Sequence, residues 1–341
     1  MKAFYHPAQE LHHPQSYFSR GMMRKPQEVP DRAAALVDAA RRQGFDVRQP
    51  ADAGIRPLTA VHSVDYLRFL RTAHAQWKEL PEDWGDEVVS NVFVREPNPL
   101  RGVLAKAARY LADGSCPVGP KTWESAYWSA QSALAGADAL LAGDRYAYAI
   151  CRPPGHHARA EAAGGFCYIN NCAVAAQRLK SRFERIAILD TDMHHGQGIQ
   201  EIFYERNDVY YVSIHGDPEN FYPVVAGFAE ERGAGAGLGF NLNLPIAHGS
   251  PETAFFKNLA EASAAIEVFS PDVLVLALGF DIYAGDPQSK VEVSVSGFAK
   301  LGASLASFGL PVLVVQEGGY SVEKLGELSE AFFDGLGVRS I

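Results

Sequence analysis

The stretch Ile186–Gly198, IAILDTDMHHGQG, decides the fold. Its first four residues, Ile186-Ala187-Ile188-Leu189, are all apolar, the pattern of a strand buried on both faces of a sheet. Asp190, Asp192 and His194 follow at alternate positions. In an extended chain the side-chain period is two, so all three point to one side. Gly196 and Gly198 mark where the strand ends. Two carboxylates and an imidazole at a strand terminus are costly to bury unpaired. A divalent ion relieves that cost, and this donor set suits Zn²⁺ or a similar ion. Taken alone, the short Asp-x-His pattern also fits a solvated loop with an incidental His pair.

Outward from this strand, similar short runs recur at Tyr146 to Cys151, Val209 to Ile214, Val273 to Leu278 and Pro311 to Val315, with Lys2 to Tyr5 as a first strand. Helical patterns alternate with them. Pro30 and Asp31 open a helix to Gln43 and Gly44 closes it. Ser63 caps one that runs to Trp77. An Ala-rich helix spans Thr122 to Gly143, and others run from Asn170 to Lys180 and roughly from Pro251 to Phe269. Residues 78 to 120, rich in Pro, Gly and acids, read as a long excursion from the core of a functional or interfacial kind. Apolar strands alternating with helices predict an α/β fold with a parallel sheet covered on both faces.

Ligands of such sheets sit beyond the C-terminal ends of the strands. Four strand ends deliver unusual polar groups there: His156 and His157 after one, Asp190 to His194 after the second, Asp281 after the third, Tyr320 after the fourth. Asp192, His194 and Asp281 supply three metal ligands and leave positions open, as a catalytic site requires. A metal there acidifies water and polarises a carbonyl. The tandem pair His156 and His157 offers a general base and a general acid. Tyr320 can donate a hydrogen bond to a developing oxyanion. The constellation describes amide hydrolysis. Asp190 reads better as the acceptor that orients His156 than as a ligand. Arg152 reads as a brace for its loop, and His195 has the wrong parity to share a side with His194.

Composition bounds the partners. The chain has 341 residues, 47% hydrophobic and 21% charged, which is globular rather than disordered composition. A net charge of -9 argues against nucleic acid and is compatible with a cationic small substrate. The four cysteines form no CxxC pair, so a reducing cytoplasm is expected. No apolar run is long enough to span a membrane.

The strings Arg152-Pro-Pro-Gly-His-His-Ala158, Gly164-Gly-Phe-Cys-Tyr-Ile-Asn-Asn171, Asp190-Thr-Asp-Met-His-His-Gly-Gln-Gly198, Asp281-Ile-Tyr-Ala-Gly-Asp-Pro287 and Glu317-Gly-Gly-Tyr320 resemble the zinc-dependent histone deacetylase superfamily. The likeness runs from about residue 20 to the C-terminus in the family's motif order. Within it the chain is most similar to bacterial acetylpolyamine amidohydrolases, through its length and the acidic Trp/Pro-containing insertion before Pro120-Lys-Thr-Trp-Glu124. The resemblance implies a three-layer α/β/α sandwich around an eight-stranded parallel sheet, one domain over residues 1–341 with the insertion at about 78–120. It implies one catalytic Zn²⁺ on Asp192, His194 and Asp281, the tandem pair at His156 and His157, and Tyr320 as oxyanion donor. Phe166 and Tyr222 match the walls of the acyl-lysine tunnel. A structural K⁺ is implied near Asp190, Asp192, His194, Ser213 and Ile214, and a second monovalent site from Phe203, Arg206, Val209 and Phe240.

Two residues depart from the family pattern. Relatives hold the second tandem His with Asp or Asn, where this chain has Gln197; its amide oxygen can still accept from an imidazole N–H but is uncharged. Tyr222 stands where many relatives carry phenylalanine, so a hydroxyl is expected at the tunnel mouth. The expected activity is deacetylation of N-acetylated polyamines or related cationic amines, with a broad acyl-lysine or small-amide deacetylase as the alternative. A two-manganese ureohydrolase needs further carboxylates where Gly196 and Tyr283 stand. A non-catalytic binding module predicts lost ligands, and none is lost. The insertion acids Glu82, Asp83, Asp86, Glu87 and Glu96, with Trp84 and Phe93, suit a homodimer whose insertions narrow each other's active-site entrance.

Overall fold

The apolar run at 186–189 forms a strand with every residue buried, and strands of the same kind flank it on both sides. The structure is a computed structural model and describes residues 1–94 and 99–338. Arg95, Glu96, Pro97 and Asn98 of the acidic insertion therefore lie outside the described residues. In chain order the strands are β1 (Lys2–Phe4), β2 (Tyr17–Ser19), β3 (Met22–Arg24), β4 (Asp46–Arg48), β5 (Tyr146–Ala149), β6 (Ile186–Asp190), β7 (Val209–Gly216), β8 (Asn241–Ile246), β9 (Ser250–Pro251), β10 (Val273–Leu278), β11 (Val291–Glu292) and β12 (Val312–Gln316). The α-helices are α1 (Pro30–Arg42), α2 (Val64–Lys78), α3 (Gly102–Tyr110), α4 (Thr122–Leu141), α5 (Asn171–Leu179), α6 (Gln197–Phe203), α7 (Glu252–Phe269), α8 (Val295–Ser307) and α9 (Val322–Leu336).

Eight strands form one sheet in the order β4-β1-β5-β12-β10-β6-β7-β8. Every neighbouring pair is parallel. Alternate residues of each strand go to opposite faces, as the period of two requires. Leu274, Leu276 and Leu278 of β10 join Val312 and Val314 of β12 in a cluster with Leu36, Phe255, Phe298 and Phe332 of the helices α1, α7, α8 and α9. Val273, Val275 and Ala277 face the other way with Leu313 and Val315, against Ala133, Ala137 and Ala173 of α4 and α5. Small residues on these two helices let them lie close to the sheet. This is the expected sandwich, and it brings the C-terminal ends of β5, β12, β10 and β6 side by side.

Local signals act as expected at several ends. Ser63 caps α2 by accepting from the Tyr66 amide, and Asn170 caps α5 by accepting from the Ala173 amide. The 78–120 segment differs from its reading as an excursion. It contains α3, whose Val103, Ala107 and Tyr110 pack with Tyr66, Leu70 and Trp77 of α2, and it buries Val88, Leu111, Cys116 and Val118. The acidic, Pro-rich residues before α3 masked a short amphipathic helix. No helix among the described residues is long and apolar enough to cross a membrane.

Candidate active site

The strand ends bring their polar residues together, and His157, His194 and Tyr320 among them line a cavity of about 890 Å³. Register does the first part. Ala277 at the end of β10 pairs with Asp190 at the end of β6, so the loops that leave these strands start level with each other. Asp192 and Asp281 lie on those two loops, and His194 completes the group. The His194 Nδ1 atom is 3.3 Å from Asp192 Oδ1 and 3.2 Å from Asp281 Oδ2. Ligand atoms of the three residues lie within 4.8 Å of one another, and all three are buried.

This donor set fits a divalent cation. Burial and the charge of Asp192 push the Asp281 carboxyl up to about 7. Burial works against the Asp192 carboxylate too, yet His156 and His194 hold it below the usual carboxylate range. Burial opposes a charged His194, and its two carboxylate neighbours overcome this and raise it to about 9. Two carboxylates crowded on one point need positive charge between them; a cation supplies it and leaves His194 a neutral donor. Two glycines keep the space. A Cβ on Gly318 would lie 2.5 Å from Asp192 Oδ2, and one on Gly279 would lie 2.6 Å from Asp281 Oδ1. Gly318 is therefore required by close approach.

His156 and His157 lie beside this group with ring centroids 3.9 Å apart. The His156 Nδ1 atom is 3.0 Å from Asp190 Oδ2, which also accepts from the Tyr211 hydroxyl at 2.9 Å. Asp190 thus stands where an orienting acceptor is expected. Burial opposes an imidazolium at His156, but the carboxylates of Asp190 and Asp192 push the ring up to about 10. Burial and the charges of His156 and His194 push His157 down. Gln197 reaches His157 after all: its Oε1 is 2.6 Å from His157 Nδ1.

Phe166, Tyr222 and Tyr320 line the cavity together with Tyr17 and Phe221. Phe166 has φ 69, a backbone conformation that costs energy for a side chain of this size and recurs at functional sites. Its ring meets that of Tyr320 edge-on at 6.0 Å. The hydroxyl of Tyr222 does not open into the tunnel mouth. It donates to Asp113 Oδ2 at 2.7 Å and accepts from Gln197 Nε2 at 3.1 Å. Ser213, expected near a K⁺, bonds His215 Nδ1 at 2.8 Å and pairs with Asp190 across β6 and β7, one residue before Ile214.

Supporting residues complete the site. Glu317 Oε2 accepts from the Gly155 and His156 amides, and Asp286 Oδ2 accepts from the Tyr320 and Ser321 amides. The buried Arg32 donates to the carbonyls of Gly319 and Glu317 and lies 4.9 Å from the Tyr320 ring centroid. Arg152 donates to the carbonyls of Gln9 and His12, the brace expected of it. Phe221 stacks on His194 at 4.7 Å. His195 turns away toward His215, at 4.7 Å between ring centroids. A second cluster, His156, Cys167 and Glu317, is compact enough for a metal, but its Cys167 thiol donates to Gly165 O and Glu317 already holds two amides.

None of the insertion acids Glu82, Asp83, Asp86 and Glu87 lines the cavity of a single chain. Asp86 pairs with Lys78 at 2.9 Å, and Glu87 accepts from the Gln15 amide at 3.2 Å. The charged side chains at the mouth are instead Arg20, Arg24, Lys25 and Lys290.

Comparison with known proteins gives a consistent answer. Residues 26–336 match the histone deacetylase domain. The chain is 64% identical to an acetylpolyamine amidohydrolase of Burkholderia pseudomallei (strain 1710b), with 99% of each chain covered. It is 38% identical to an acetylpolyamine amidohydrolase of Mycoplana ramosa, with 96% of each covered. A crystal structure of the acetylpolyamine aminohydrolase from Burkholderia pseudomallei superposes with a TM-score of 0.98 over 99% of each chain at 64% identity. The HD domain of HDA15 shares the fold, with a TM-score of 0.82 at 24% identity over 99% of this chain and 91% of that one. The motifs on four adjacent strand ends and the extent of these matches lead to one conclusion: the chain belongs to the histone deacetylase family of hydrolytic deacetylases.

Proposed function

We propose that this chain removes acetyl groups from N-acetylated polyamines or related cationic amines, as one deacetylase domain over residues 1–341. The observation that carries the chemistry is the open set Asp192, His194 and Asp281 beside two imidazoles held by different partners. The substrate class rests on the names of the relatives and on the net charge of -9, which draws cations toward the protein.

A divalent ion on Asp192, His194 and Asp281, Zn²⁺ by family resemblance, supplies Lewis-acid polarisation of the amide carbonyl and acidifies water. The chain's own residues do the rest. Phe166 and Tyr222 clasp the acyl group and exclude bulk water. His157, its Nδ1 held at Gln197 Oε1, takes a proton from the attacking water at Nε2, and the tandem pair returns one to the amine nitrogen as the C–N bond breaks. His156 is kept in place by Asp190, whose Oδ2 lies 3.0 Å from His156 Nδ1, and serves as the pair's proton donor. Tyr320 donates its hydroxyl to the oxyanion of the tetrahedral intermediate, and Asp286 and Arg32 fix the backbone on either side of it. A structural K⁺ would sit on the 190–194 turn and the end of β7, through Asp190, Asp192, His194, Ser213 and Ile214.

The working unit in this reading is a cytoplasmic homodimer with no nucleic-acid or membrane partner. Trp84, Val92 and Phe93 of the insertion are exposed, as are Phe18, Met22 and Met23 of the β2–β3 hairpin. So much apolar surface calls for a cover, and a two-fold partner provides the same surface in return. A cationic substrate at a mouth lined by Arg20, Arg24, Lys25 and Lys290 needs carboxylates, and none of the insertion acids among the described residues lines it, so in this reading a second copy's insertion brings them. The wide basic mouth of the single chain favours a second reading, a broader acyl-lysine deacetylase. Assays on acetylputrescine, acetylspermidine and an acetyl-lysine peptide, with and without added Zn²⁺, decide between them. The polyamine reading expects kcat/KM for the acetylpolyamines to exceed that for the peptide by about tenfold or more. A preference for the peptide overturns it.

A further inference from the structure

A side-chain amide has two faces of opposite character, and Gln197 must turn the right one toward His157. If its oxygen faces the ring, His157 Nδ1 carries the proton and Nε2 keeps a lone pair. If its NH₂ faces the ring, Nδ1 must accept, and the proton moves to Nε2, where it blocks a base. A carboxylate in that place would need no orienting, since both its oxygens only accept.

The structure holds a chain of bonds that selects one orientation. Gln197 Nε2 donates to the Tyr222 hydroxyl at 3.1 Å, and that hydroxyl donates to Asp113 Oδ2 at 2.7 Å. The hydroxyl has a single proton, and an Asp113 carboxylate only accepts, so the proton points to Asp113. The oxygen of Tyr222 then offers Gln197 only a lone pair, and the NH₂ group must face it. The Gln197 oxygen is thereby left for His157 Nδ1, at 2.6 Å. The same Asp113 oxygen accepts from the Gly165 amide at 3.1 Å, which ties the chain's end to the turn that carries Phe166. The Tyr222 ring stands edge-on to His157 at 4.8 Å, and a Cβ on Gly165 would lie 2.2 Å from His157 Cδ2, so the Gly165 backbone packs directly against the imidazole.

We propose that Asp113 and Tyr222 are positioning residues: through the amide of Gln197 they hold His157 in the Nδ1–H tautomer, with the Nε2 lone pair directed at the substrate. The inference rests on the reading of His157 as the proton acceptor, and it explains why a tyrosine hydroxyl accompanies a glutamine in this chain.

The test compares one substitution in two backgrounds, using the Zn²⁺-loaded full chain and acetylputrescine. In the wild-type background, Tyr222→Phe and Asp113→Asn should each lower kcat by about tenfold, the scale of lost outer-shell partners, while KM changes by less than about twofold. In Gln197→Glu protein the amide is replaced by a group with two equivalent oxygens, and Tyr222→Phe should then cost at most about twofold. A mere wall or folding role for Tyr222 predicts the same loss in both backgrounds, and that result overturns the proposal. A second measurement is independent of turnover. In ¹⁵N-histidine-labelled protein, His157 should be protonated at Nδ1, and Tyr222→Phe should transfer part of that population to Nε2. A wild-type His157 protonated at Nε2, or a tautomer insensitive to Tyr222→Phe, refutes the proposal. If the protein acts on no acetylpolyamine, the functional reading fails by itself, and the tautomer measurement still decides this one.

Discussion

Asp192 and Asp281 face a single point from two different loops, and with His194 they supply the three ligand atoms of the group. Asp281→Ala should therefore lose bound Zn²⁺ and activity together, measured by metal analysis and turnover of the same sample; full zinc occupancy in the variant contradicts the ligand set. Tyr320 offers a finer cut. Its backbone is fixed by Asp286, and its ring is flanked by Arg32 and Phe166, so Tyr320→Phe keeps every one of these contacts. If the hydroxyl serves the oxyanion, kcat should fall by about a hundredfold or more with zinc retained. An unchanged kcat makes Tyr320 a packing residue. At this scale the sequence was legible wherever chemistry-bearing residues cluster in a short string. Strand alternation was expected to put Asp190, Asp192 and His194 on one side, but the strand ends at Asp190 and residues 192–194 bend, so Asp192 and His194 meet Asp281 while Asp190 meets His156. Asp113 and Phe221 left no such trace. Each is a lone residue of ordinary type, brought to the site by a loop whose path no periodicity describes.

Among the helices, α8 and α9 cross with their backbones nearly touching. A Cβ on Gly335 would lie 1.9 Å from the carbonyl oxygen of Ala299, and one on Gly302 would lie 2.1 Å from that of Phe332. Alanine is the better helix former by about 1 kcal/mol, so propensity alone predicts a gain from Gly335→Ala. The contact predicts the reverse, because a backbone carbonyl cannot rotate aside: a net loss of about 2 kcal/mol or more, read as a lowered midpoint in denaturant unfolding. A raised midpoint would show that the helices can part freely. The same comparison of local signal with packing explains which elements the sequence revealed. Five of the six interior strands, β5, β6, β7, β10 and β12, are buried and mostly apolar and stood out as runs. The two edges, β4 and β8, did not. β4 reads Asp-Val-Arg with no fully buried residue, and β8 carries Asn241, Asn243 and Pro245. Edge strands are charged or interrupted so that they do not recruit other chains, and that same composition hides them from a search for apolar runs.

For the whole molecule the open question is what meets the exposed apolar residues of the insertion and the hairpin. Replacing Val92 and Phe93 by glutamate adds charge to that surface without touching the cavity lining. If two copies meet there, light scattering should report a monomer, and activity on acetylspermidine should fall relative to an acetyl-lysine peptide as the mouth widens. A dimer with unchanged preference shows that the surface serves another purpose.

The strand order has a consequence for how the protein comes into being. β12 is the last strand along the chain, yet it lies in the middle of the sheet, between β5 and β10. While the chain is being synthesised, everything up to residue 311 can emerge and still leave two half-sheets with bare apolar edges and a slot between them. Such edges are templates for wrong pairing, so this is the interval in which a chaperone has most to protect. Tyr320 lies just beyond β12, and Glu317, which holds the His156 loop, is the next residue after it. A prefix that stops before β12 lacks the carboxylate that holds the Gly155 and His156 amides and lacks the tyrosine. A cell that detects turnover from this protein is detecting that the slot has been filled.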